Sequence, residues 1–160
     1  MTQADGSSPE ARLAALGLEL PELPAPRGQY VRARSAGGLL FLAGHGPAPD
    51  ESGARPSGRV GAELTVAEGR AAARRCGLGL LSTLKAELGD LARVESVVRL
   101  LVFVRCGPDF VDTPSIADGC SDLMLEVFGP DIGRHARAAV GVEMLPFEMP
   151  VEVEAIVAAR

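Results

Sequence analysis

Apolar residues recur along this chain at two periods, and the changes of period mark the elements. Residues 9–18 carry Leu13, Leu16 and Ala14 to one side, which predicts a short helix stopped by Gly17. Pro21, Pro24 and Pro26 then impose an extended connector. Residues 30–34 alternate, Ala36-Gly37-Gly38 supplies a turn, and residues 39–43 are an apolar run, so a strand pair is expected there. Residues 44–58 are rich in Gly, Pro, Asp and Ser and predict a loop, with regular structure resuming near Val60.

Thr65-Val66-Ala67-Glu68 is a capping box: the Thr hydroxyl can accept from the Glu68 amide while the Glu68 carboxylate reaches back to the Thr65 amide. The helix it opens is expected to run to Leu88 and stop at Gly89. Ala73, Cys76, Leu80, Leu84 and Leu88 form its buried stripe. Gly77 and Gly79 interrupt it at about 1 kcal/mol each relative to Ala, which points to close contact with a sheet. Residues 94–105 are dense in Val, Leu and Phe and read as a central strand. The next helix is expected from Pro108-Asp109 to about Phe128. Pro114 separates its first turn from a helix starting near Ser115, and Gly129-Pro130 ends it. Residues 136–145 predict a strand, 146–150 a turn, and 151–157 the last strand. The order β-β-(β)-α-β-α-β-β describes one α+β domain without internal repeats.

Composition narrows the chemistry. The 160 residues, 47% apolar, suffice for one domain with its own core. A net charge of −5 weighs against a nucleic-acid partner, which usually needs a basic face. Of the sixteen basic residues, Lys85 is the only lysine, so Schiff-base chemistry has almost nowhere to reside. The two histidines and three cysteines have none of the spacings of a zinc site, and no metal is expected. No Walker loop or G-x-G-x-x-G follows a strand, so no nucleotide cofactor is expected. The odd cysteine count and the lack of a secretory leader predict a reducing, cytoplasmic setting. No apolar run is long enough to cross a membrane.

The last two strands carry the most suggestive chemistry. Period two sets Arg137, Ala139, Gly141 and Glu143 on one face. In the final strand Glu152, Glu154 and Ile156 share the face opposite Val151, Val153, Ala155 and Val157. A carboxylate pair beside an arginine could hold an anion and a water. The same pattern also describes a solvated face with cross-strand ion pairs. His45, between glycines after a strand, is either a ligand contact or part of a turn. His135 reads as a surface residue, Cys76, Cys106 and Cys120 as buried inert thiols, and Asp118, Asp122 and Glu126 as a solvated helix face.

The ending Arg137-Ala-Ala-Val-Gly-Val-Glu-Met-Leu-Pro146, followed by Pro150-Val-Glu-Val-Glu-Ala-Ile156, resembles the C-terminal signature of the YjgF/RidA family, also called endoribonuclease L-PSP. Tyr30-Val31, Leu40-Phe-Leu-Ala-Gly44 with Pro47, Leu88-Gly-Asp-Leu91, Phe103-Val104 and Asp109-Phe110 agree with it in order. The resemblance spans residues 26–158. It leaves residues 1–25 as a tail, short helix and proline-rich connector, similar to the extension of a divergent branch, ahead of a domain over 26–160.

The resemblance implies a chorismate-mutase-like fold: a mixed, mostly antiparallel sheet with two helices on one face, assembled as a homotrimer with clefts at subunit interfaces. In the deaminating members an Arg matching Arg137 binds a small carboxylate ligand, and a Glu matching Glu154 lies by the water that attacks the imine carbon. A Tyr matching Tyr30 lines the cleft, and backbone near Gly44 helps close it. The implied reaction converts 2-imino or enamine acids to 2-oxo acids and ammonia without cofactor. The chain departs from the family at Ala139, where Cys is frequent, at His45, where Gln is frequent, and at Pro108, where Asn is frequent. The last two departures touch the region that grips the amino-acid part, and His45 could add a group titrating near neutrality. A trimer that binds small carboxylates without turnover is the alternative, and an endoribonuclease a third reading against which the acidic charge counts.

Overall fold

The computed structural model describes residues 7–50 and 52–160, so most of the tail expected over residues 1–8 lies outside it. Five strands form one sheet: β1 (Ala33–Ala36), β2 (Leu39–His45), β3 (Val94–Arg105), β4 (Ala136–Val142) and β5 (Val151–Ala159). Their order across the sheet is β1-β2-β5-β3-β4. Only β3 and β4 pair in parallel; the other neighbours are antiparallel. Helices α1 (Pro9–Ala15), α2 (Val66–Leu88) and α3 (Thr113–Gly133) complete a mixed α+β fold. No helix among the described residues is long and apolar enough to cross a membrane.

Local chemistry sets the element ends. The α2 capping box is complete, with Thr65 N–H donating to Glu68 at 2.8 Å and Glu68 N–H donating back to the Thr65 hydroxyl at 3.2 Å. Gly89 stops α2 at φ 77°. The β1–β2 hairpin turns through Gly37 and Gly38 at φ 58° and 77°, the left-handed pair that a tight hairpin requires. Helix α3 starts at Thr113 with Pro114 in its first turn, rather than at Pro108-Asp109. It kinks at Gly129 and continues one further turn to Gly133. Val60 makes two isolated bridges instead of a third strand. The first strand begins at Ala33 rather than Tyr30, since the proline-rich connector holds Tyr30 and Val31 away from the sheet, 55% and 59% exposed.

The core lies between one sheet face and α2 and α3. Leu40, Leu42, Leu100, Val102, Val104, Val151, Val153, Ala155 and Val157 meet Ala73, Cys76, Leu80 and Leu84 of α2 and Ile116, Cys120, Leu123 and Val127 of α3. Gly77 contacts Leu123 and Cys120 of α3, so its smallness serves helix-on-helix packing; Gly79 contacts His45 of the sheet. The residues expected as a solvated helix face are partly exposed and also reach across to α2, with Arg70 on Asp122 and Arg74 on Glu126 at 2.6 Å. Leu13 of α1 is buried, while Leu16, assigned by periodicity to the same side, is 43% exposed because the helix ends at Ala15. Glu10 ties α1 down: its carboxylate accepts from Lys85 at 2.8 Å and from the Leu91 amide at 2.8 Å. Lys85 thus has a structural partner.

Candidate functional site

The sheet face turned away from the helices carries the site. Burial alternates along β5, with Val151 and Val153 inward and Glu152 and Glu154 on the open face. A β-bulge between Leu42 and His45 breaks the matching alternation on β2: Leu42 opposes Ala155, yet His45 opposes Val153. Ala43 and Gly44 therefore face a single β5 residue, and every side chain after them switches side. His45 consequently turns inward. Gly44 stands on the open face, and a Cβ there would collide with the Glu152 carboxyl. Glycine at 44 is what lets the Glu152 side chain lie across β2.

Glu152 borders a cavity of about 610 Å³. Its floor is Ala43, Gly44 and Gly46; its walls come from the connector (Arg27, Tyr30, Arg32), from Arg55, and from Phe147 and Met149. Burial, reinforced by the like charge of Glu154, raises the Glu152 carboxyl above the ordinary glutamate value. Such a group can take a proton nearer neutrality and return it. The Phe147–Glu148 turn is strained, with both residues near φ 56°. Arg105 holds it, donating to the Glu148 carbonyl at 3.1 Å with its carboxylate 3.7 Å away. The Arg27 guanidinium lies 5.2 Å from the centre of the Phe147 ring.

The residues singled out by sequence separate into groups. Tyr30, Gly44 and Glu152 border the cavity. Glu154, assigned the place beside the attacking water, sits two residues further along β5, opposite Leu101, and does not line it. His45 does not reach the cavity either. Its Nδ1–H donates to the Ala43 carbonyl at 2.7 Å, so Nε2 accepts from the Thr83 hydroxyl, also at 2.7 Å. Burial lowers its pKa, so it is a neutral core group near pH 7 rather than a titrating ligand contact.

Arg137 lies elsewhere. Register aligns it with Leu100, and Leu100 with Ala155, on the helix side of the sheet. Its Nη1 donates to Asp118 at 2.7 Å and to the Ser121 hydroxyl at 2.9 Å, and Nη2 to the Pro114 carbonyl at 3.4 Å. Within one chain it is therefore separated from Glu152 and Glu154 by the sheet itself. Ala139 shares the Arg137 side, partly buried, its carbonyl accepting from Thr113 at 3.2 Å. Glu143 falls beyond β4 and is exposed. His135 is not a free surface residue: Nδ1 donates to Gly133 and Nε2 accepts from Ser121 at 2.9 Å. The three thiols are buried, with Cys120 pushed up to about 12 by burial. No cluster of three or more His, Cys, Asp or Glu suited to a metal occurs among the described residues.

Sequence reading missed Glu152 as the cavity carboxylate, together with Arg27, Arg32, Arg55 and Phe147. The Glu-x-Glu pair was visible, but selecting between its members required the β2 bulge. A small residue at 44 was the available signal.

Comparison with known proteins gives one family. The model of the family described as "YjgF/chorismate mutase-like, putative endoribonuclease" matches residues 10–156, a span that includes all of α1 but Pro9, and the connector. The chain is 49% identical over 147 residues to "Protein TCP17" of Trypanosoma cruzi, covering 92% of this chain and 91% of that protein. A solved structure from Shewanella oneidensis, described as a putative endoribonuclease, superposes with TM-score 0.89 at 34% identity, covering 95% of this chain and 99% of the other. A protein of unknown function from Agrobacterium tumefaciens superposes with TM-score 0.85 at 38% identity, covering 95% and 94%.

Proposed function

Starting from the membership of this chain in the YjgF/chorismate-mutase-like family, we propose that it hydrolyses small 2-imino or enamine carboxylic acids to 2-oxo acids and ammonia, at a cleft completed by a second copy of the chain. The carrying observation is Glu152, a carboxyl of raised pKa laid over Gly44 in a cavity that also holds Tyr30.

Water adds to the C=N carbon while Glu152 takes one of its protons. Glu152 returns that proton to nitrogen to give the carbinolamine, then takes the hydroxyl proton and passes it to the amino group, so that the C–N bond breaks and ammonia leaves as the carbonyl forms. A carboxyl whose pKa is raised by burial suits both transfers. Arg137 supplies the carboxylate clamp. Asp118 and Ser121 engage one terminal nitrogen and fix the planar fork, leaving donors on Nε and Nη2.

Arg137 and Glu152 stand on opposite sides of the sheet, so a working site needs Arg137 from one copy and Glu152 from another. The open face supports such packing. Phe41 and Val140 are 43% and 42% exposed on it, alongside half-buried Leu101, Phe103 and Ile156. A closed threefold ring generates three equivalent clefts.

The test generates 2-iminobutyrate in situ and follows its loss with and without protein. Acceleration by the wild type that Arg137→Ala and Glu152→Gln abolish supports the assignment. No acceleration by the wild type rejects it for this substrate. A rise in Tm with 2-oxobutyrate that depends on Arg137, without turnover, favours a binding protein.

A further inference from the structure

The cavity holds a charge that imine hydrolysis does not use. Arg27, Arg32 and Arg55 all line it. Several other arginines face carboxylates, among them Arg59 with Glu63, Arg70 with Asp122, Arg74 with Glu126, and Arg160 with Glu95. The three cavity arginines have no carboxylate partner among the described residues. Arg32 donates to the Pro24 carbonyl, Arg55 to the Pro47 carbonyl at 2.5 Å, and Arg27 stacks on Phe147. Carbonyls and a ring orient a guanidinium without neutralising it. None of the three is among the groups that shift Glu152, which feels burial and Glu154.

In a chain of net charge −5, three guanidiniums sharing one concavity with the single carboxyl of Glu152 are a local reversal of sign. Pro26, Pro56, Pro146 and Met149 supply apolar walls beside them. Each retains several unused N–H donors. The volume of about 610 Å³ is more than a three- or four-carbon imino acid fills.

We propose that Arg27, Arg32 and Arg55 form a second anion subsite, so that the preferred ligand is an imino acid whose side chain ends in an acidic group. This rests on the deaminase reading for the reaction but not for the binding. Arg137 of one copy holds the α-carboxylate, Glu152 serves the imine carbon, and the arginine trio holds the distal acid. A charge-assisted hydrogen bond of about 1.5–3 kcal/mol corresponds to tenfold or more in affinity.

Calorimetric titration of the assembled protein with 2-oxoglutarate, 2-oxobutyrate and inorganic phosphate tests it. Arg27 and Arg55 are exposed and make only backbone or ring contacts, so Arg27→Ala/Arg55→Ala leaves the fold standing. The expected result is 2-oxoglutarate binding at least about tenfold tighter than 2-oxobutyrate, with the ratio falling toward one in the double variant. Equal affinities in the wild type, or an unchanged ratio in the variant, overturn the subsite. Phosphate binding that exceeds 2-oxoglutarate and disappears in the double variant keeps an anion subsite but overturns the dicarboxylate. Hydrolysis of 2-iminobutyrate without preference for the imine of glutamate leaves the deaminase standing and removes the subsite. Tighter 2-oxoglutarate binding with neither imine turned over does the reverse.

Discussion

The two faces of the sheet are built to different rules. The face under α2 and α3 is closed: its Leu and Val side chains are buried, its helices are pinned to each other by Arg–carboxylate pairs, and its thiols and His45 are neutral. The other face is open: half-buried aromatic and aliphatic groups, a carboxyl of raised pKa, and arginines left without carboxylates. One face carries the core, with Arg137 at its β4 edge. The other holds groups in states that stability alone would not select, which is what binding and proton transfer require.

The contrast breaks most visibly in the core. Leu84→Ala, beneath the sheet, is expected to lower stability by about 2–5 kcal/mol through lost burial and an unfilled cavity, measured by urea denaturation. Its activity should follow the folded fraction and nothing more.

Substitution on the open face should do the opposite. Glu152→Gln is expected to cut imine turnover by about 10²–10⁴-fold, the range for a lost acid–base group. The sign of its stability effect follows from the raised carboxyl. The folded state holds the proton more tightly than the unfolded chain, so this group's contribution to folding is fully present below the ordinary glutamate value and is lost as pH rises from there through its raised folded-state value. Glutamine removes the penalty, and Tm at pH 7 should be equal to or above wild type. A Tm that drops instead would make Glu152 a structural residue. Gly44→Ala displaces the same carboxyl with a methyl group and should lower turnover while leaving the core intact.

Smaller effects sharpen the closed side. Thr65→Ala removes the hydroxyl half of the capping box and should cost about 1 kcal/mol, with the proposed imine turnover of the folded protein unaltered. His45 prefers to be neutral when folded, so its contribution is present above about 6.5 and is lost as pH falls below that value. His135 is shifted the same way. His45→Gln should therefore flatten, without abolishing, the decline of Tm between pH 7 and 5; an unchanged slope would contradict burial of a neutral ring.

These faces also differ in how far the chain order reveals them. Thr65, Glu68 and Gly89 act on neighbours three or four residues away, so α2 is legible to the residue. Period two pairs Arg137 with Ala139 and Glu152 with Glu154, but it cannot say which face of the sheet each pair occupies. The β3 register decides that for Arg137, and it turns out to oppose the glutamates. The bulge at Ala43–Gly44 reverses His45 and brings Glu152 over Gly44, a consequence of long-range pairing with β5. Arg27, Arg32, Arg55 and Phe147 come from connectors without period, and only the folded chain brings them to one cavity.

The central claim is that Arg137 and Glu152 of different copies make one site, and mixing variants tests it directly. Arg137→Ala and Glu152→Gln proteins, each inactive alone, are unfolded together, refolded and assayed for 2-iminobutyrate hydrolysis, with native mass spectrometry confirming mixed assemblies. A cleft that takes Arg137 from one variant and Glu152 from the other is intact, so random mixing should restore about a quarter of the wild-type rate. Mixed assemblies as inactive as either parent would contradict a site shared between copies.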